Sequence, residues 1–154
     1  MNAEQADIRF PALGFTPDKE IWGFPDLWTL TSCGPATLEE NLQVGMELIG
    51  ADGRRWRVLE LRKVGRARPI LQWLIWALLA KPAYRVEQTL EELEPATLGE
   101  IKGKTLASME ATSQDWSPDD QREILFDPLV RSVEDAASVS EIFDLLGLDS
   151  FLAY

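Results

Sequence analysis

Gly50-Ala51-Asp52-Gly53 separates two runs of alternating apolar and polar residues, and no other segment limits the fold as much. Met46-Glu47-Leu48-Ile49 precedes it and Arg54 through Val64 follows. An Asp-Gly pair between such runs marks a β-hairpin, because glycine tolerates the positive φ at which the chain reverses. On the second strand Arg55 and Arg57 point to one face, Trp56 and Val58 to the other. The alternation fails at Val58-Leu59, both apolar, which predicts either a bulge or cover on both faces.

Downstream, Pro69 through Ala80 is apolar nearly all round and framed by Pro69 and Pro82. That pattern predicts a core helix over 69–81. It is far short of the roughly 20 residues needed to span a bilayer, and it lacks the polar face of an interfacial helix. Tyr84 to Leu93 reads as an extended strand. Thr97-Leu98-Gly99-Glu100 and Ser138-Val139-Ser140-Glu141 read as capping boxes, opening helices to about Thr112 and to Gly147. Ser117-Pro118-Asp119-Asp120 opens another helix, which Pro128 breaks or restarts.

The first 45 residues, rich in Pro and Gly, predict irregular structure with short strands. Thr16-Pro17-Asp18-Lys19-Glu20 predicts one helical turn, Leu27 to Thr31 a strand, and Thr31 to Pro35 a turn or loop. Pro35-Ala36-Thr37-Leu38 recurs as Pro95-Ala96-Thr97-Leu98, which reads as two independent N-caps rather than a repeat. Strands before helices in blocks favour an α+β fold. The expectation is a small twisted antiparallel sheet around the Asp52-Gly53 hairpin, packed on helix 69–81 and followed by a mostly helical C-terminal half. The 154 residues suit a single domain over 1–154, β-rich over 1–68 and helical over 69–154.

The chain has no His and one Cys, Cys33. A Ser–His–Asp or Cys–His mechanism has no imidazole to take its proton. A His/Cys zinc site has too few ligands. Cys33 lacks a partner for an internal disulfide, and the first residues show no basic stretch leading into an apolar run, so a cytoplasmic location is the expectation. Carboxylate chemistry, with or without Mg²⁺, survives the exclusion.

Charge is segregated. Residues 1–53 hold 2 basic and 9 acidic side chains, residues 54–85 hold 9 and 1, and residues 86–154 hold 4 and 16, within a net charge of −11. A basic middle between acidic arms implies either self-complementation within the fold or one signed face kept for a partner.

Two surfaces follow as candidates. Asp115, Trp116, Asp119, Asp120 and Glu123 group acids around an aromatic, which reads as a helix N-terminus or as a protein-binding face with an exposed Trp anchor. Arg54, Arg55, Arg57 and Arg62 surround Trp56, an arrangement that on a small sheet can hold single-stranded nucleic acid, although −11 opposes phosphate approach. Trp22 and Trp28 could line a groove. Gly103-Lys104-Thr105 lacks the glycine spacing of a phosphate loop. No metal site or cofactor is expected.

The leading expectation is a non-catalytic acidic protein that neutralises a basic protein partner. A bacterial immunity protein inhibiting a cognate toxin has this size, charge and lack of catalytic groups, although no motif is shared. The alternatives are a small enzyme using carboxylates or bound Mg²⁺, and a nucleic-acid or scaffold adaptor using the basic hairpin 54–68.

Overall fold

The Asp52-Gly53 reversal closes as the alternation requires. The Gly50 amide donates to the Arg54 carbonyl at 3.0 Å and the Gly53 amide to the Gly50 carbonyl at 2.9 Å. Gly53 sits at φ +84°, where a side chain would be strained. This hairpin lies in a computed structural model that describes residues 1–66 and 84–148. The helix expected over 69–81, with Trp73 and Trp76, lies outside the described residues.

Six strands build one antiparallel sheet: β1 (Ala12–Phe15), β2 (Ile21–Phe24), β3 (Ser32–Cys33), β4 (Glu47–Ile49), β5 (Arg55–Arg66) and β6 (Tyr84–Leu93). Their order is β2-β1-β4-β5-β6-β3. The β5–β6 pairing shifts register between Val58 and Glu60 and again between Lys63 and Gly65. The first shift is the bulge anticipated at Val58-Leu59: Val58 is buried and Leu59 turns outward.

Helices follow the sheet, and the fold is α+β. They are α3 (Leu98–Ala111), α4 (Ser113–Trp116), α5 (Asp127–Asp135) and α6 (Val139–Leu145). Two short helices, α1 (Leu27–Leu30) and α2 (Pro35–Glu39), lie between strands β2 and β4. Both capping residues act as expected: Thr97 accepts from the Glu100 amide and Ser138 from the Glu141 amide. The Glu141 carboxylate reaches back to the Ala137 amide at 2.8 Å. Pro128 restarts the chain as α5, in its first turn.

Four local expectations are corrected. Thr16 to Glu20 is the β1–β2 hairpin turn, not a helical turn. Its Thr16 Oγ1 accepts from the Glu20 amide, and Lys19 takes φ +65°. Pairing of the two flanking strands overrides the Thr-Pro cap signal. Leu27 to Leu30 is a helical turn, not a strand, because the Asp26 carboxylate caps the Thr29 amide at 2.7 Å and outweighs weak β-propensity. Thr37 is no N-cap: it lies buried inside α2, which starts at Gly34-Pro35. Finally, Ser32 and Cys33, inside the stretch expected as a turn or loop, pair with Arg85 and Tyr84 as the edge strand β3, whereas the strand read over Tyr84 to Leu93 forms as β6.

The sheet is apolar on both faces. Leu13, Phe15, Ile21 and Ile49 pack on Ile101 and Met109 of α3, Val133 of α5, and Ile142 and Phe143 of α6. The reverse face, with Trp22, Phe24, Leu48, Trp56 and Val58, packs on Ile8, Leu30 and Met46 from the N-terminal segments. A third, small cluster joins Cys33, Leu61 and Val86.

Candidate functional site

The basic strand β5 lies against the acidic strand β6, and antiparallel register decides what its arginines meet. Residue 57 stands opposite residue 91, and residue 62 opposite residue 87. Arg62 bonds Glu87 at 2.8 Å, and Arg54 bonds Glu92 at 2.8 Å. That bond and the Glu92 charge raise the pKa of the Arg54 guanidinium. Arg55 donates to the Glu94 carbonyl at 3.0 Å and lies within 4.0 Å of Glu47 and Glu100. Arg57 lies 3.8 Å from Glu47. So Arg54, Arg55, Arg57 and Arg62 each face an acid of the same chain. Trp56 is fully buried under the Arg54 guanidinium and offers no stacking platform to a base.

The acids of the C-terminal half are arranged differently. From Glu110 to Asp127 the chain holds six acids and one cation, Arg122. The segment runs through α4, a 3-10 turn over Asp119–Gln121 and a wide π-helical turn over Arg122–Phe126 into α5. Arg122 bonds Glu110, approaches Asp127 at 3.8 Å, and stacks 4.5 Å over the Phe126 ring. The hydrogen bond to Glu110 raises its pKa further, so the cation stays charged and locally matched. Asp115, Asp119, Asp120 and Glu123 are exposed and make no ion pair among the described residues.

Trp116 does not stand out from this ridge as the expected anchor. It is half-buried against the helical core, and its indole N–H donates to Thr112 Oγ1 at 3.1 Å. Between Glu110 and Asp127 the large apolar side chains that are exposed are instead Ile124 and Leu125 of the π turn, at 74% and 46% exposure. Sequence reasoning overlooked both. A partial signal was present: Ile124 is out of helical phase with Leu129, Val130 and Val133, whereas Leu125, four residues before Leu129, would share its face in a regular α-helix.

The chain matches no protein-family model, no curated protein and no solved structure.

The remaining candidates have structural places. Trp22 is buried, donating to Glu20 at 3.0 Å, while Trp28 is largely outside the core. Cys33 is buried, and loss of solvent pushes its thiol pKa up to about 11, the opposite of a nucleophile's requirement. Gly103-Lys104-Thr105 lies inside α3, where Lys104 approaches Glu47 at 3.0 Å. Among the described residues no three His, Cys, Asp or Glu side chains are grouped to hold a metal, and no helix is long and apolar enough to cross a membrane.

Proposed function

We propose that the chain is a non-catalytic binding protein whose acidic C-terminal ridge docks onto a basic protein, in the manner of a bacterial immunity protein blocking a toxin. One observation carries this reading. Arg54, Arg55, Arg57 and Arg62 already face acids of the same chain, whereas Asp115, Asp119, Asp120 and Glu123 are exposed and make no ion pair among the described residues, Asp119 adding only its charge to the field at Arg122. Exposed like charges repel one another at a small cost in stability, and an opposing basic surface relieves that repulsion. Such complementarity chiefly speeds encounter and fixes orientation.

Calorimetric titration against basic proteins encoded beside its gene tests the proposal. Binding in the micromolar range or tighter is expected, with association slowed about tenfold or more by Asp119→Lys with Asp120→Lys and weakened by salt. Absence of binding, or binding indifferent to both changes, overturns it.

A further inference from the structure

We infer that Ile124 and Leu125 form the apolar anchor of the acidic ridge, and that its partner offers a cationic rim around an apolar recess. The inference rests on the binding role proposed above.

Helix phase accounts for the exposure of Ile124, and the wide π turn over Arg122–Phe126 for that of Leu125, which a regular α-helix would place beside Leu129. Phe126, Leu129, Val130 and Val133 recur at the spacing of one helical face and pack inward. Ile124 and Leu125 fall immediately before that stripe and are turned to water. Scattered exposed apolar residues are ordinary, but this adjacent pair directly follows the exposed acids Asp119, Asp120 and Glu123 and sits on a π turn, a geometry found often at functional positions. The turn is also held in place before any partner arrives. Phe126 is buried beneath it, and Arg122 braces it through Glu110, Asp127 and the Phe126 ring.

The charge around the pair selects the occupant. A second copy of this chain would press Asp119, Asp120 and Glu123 against their own kind, and an anionic lipid surface would be repelled in the same way. A purely polar cation would neutralise the acids but leave Ile124 in water. A basic surface with an apolar recess satisfies both, giving an apolar centre inside a charged rim.

Two labelled peptides of equal positive charge serve as probes, one alternating Lys with Gly and the other Lys with Leu. The Lys-Leu peptide is expected to bind about tenfold tighter than the Lys-Gly peptide. Ile124→Ser with Leu125→Ser should abolish that advantage and leave Lys-Gly binding unchanged. An advantage that survives the double substitution overturns the anchor while leaving the acidic docking role intact. Failure of both peptides to bind, or binding that ignores Asp119→Asn with Asp120→Asn, overturns the docking role and the anchor with it. Urea midpoints of all variants check the fold; should the double substitution lower its midpoint, Ile124→Ser alone decides, since that side chain is the more exposed.

Discussion

Lys104 Nζ on helix α3 lies 3.0 Å from the carboxylate of Glu47 on strand β4, within ion-pairing range. Glu47 also lies 3.8 Å from both Arg55 and Arg57. One half-buried carboxylate therefore balances three cations where the helical layer meets the sheet. Glu47→Gln keeps the shape and removes the charge, leaving Lys104, Arg55 and Arg57 to repel each other. The expected loss is about 1–3 kcal/mol in urea unfolding, larger at low salt than at high salt. A loss that does not change with salt would mean the carboxylate acts through packing alone.

Gln88 is a buried polar side chain on the reverse face. Its amide donates to the Leu30 carbonyl at 2.6 Å and to Gln43 Oε1 at 3.1 Å. These bonds tie β6 to α1 and to the loop before β4. Gln88→Leu should cost about 2–3 kcal/mol, because two buried acceptors lose their donor. Hydrogen exchange should speed up locally around α1 before the whole domain opens. Unchanged α1 protection would argue against this tie.

Three glycines give a graded packing test. A Cβ at Gly23 would fall on Leu148 Cβ and lie 2.9 Å from Phe143 Cε2. At Gly14 it would meet the Met46 sulfur, the pliable end of a flexible chain, at 2.5 Å and Phe24 Cε2 at 2.9 Å. At Gly65 nothing lies within 4 Å. Gly23→Ala should cost about 2–3 kcal/mol, Gly14→Ala about 1 kcal/mol, and Gly65→Ala close to nothing, measured by thermal unfolding. A different ranking would show that the sheet does not close on α6 as described.

The Cys33 thiol sets a pH dependence. Burial raises its pKa from 9.0 to about 11, so the folded chain holds a proton that the unfolded chain has lost between those values. Stability from this group is complete below pH 9 and falls as pH rises toward 11, by an amount approaching about 2–3 kcal/mol at the limit. Cys33→Ala should flatten that part of the stability profile. The thiol of the folded protein should resist a thiol reagent at neutral pH and react once urea unfolds the chain. Rapid labelling of folded protein would contradict the burial.

Local chemistry was legible wherever a few neighbouring residues decide the outcome. The Asp52-Gly53 reversal, the Thr97 and Ser138 caps, the Pro128 restart and the bulge near Leu59 each depend on one turn or one side chain. The N-terminal misreadings came where two local signals compete. At Leu27 to Leu30 the Asp26 cap prevailed over β-branched and aromatic content, and at Thr16 to Glu20 strand pairing prevailed over a cap. The site was half legible. Acids from Asp115 to Glu123 were plain, but Trp116 turned inward and Ile124 and Leu125 outward, because the π turn and the inward stripe of α5 set the helix phase there.

By itself the sequence determined the acidic excess, the lack of imidazole and paired thiol, the α+β order of elements and the segregation of charge into three blocks, since these are properties of composition and near neighbours. Only the tertiary structure decided which charges cancel. Antiparallel register brings β5 arginines against β6 glutamates distant in the chain, and α3 delivers Lys104 to Glu47, while the ridge from Asp115 to Glu123 faces water. Coulomb energy depends on separation in space, and the chain sets that separation only when it folds.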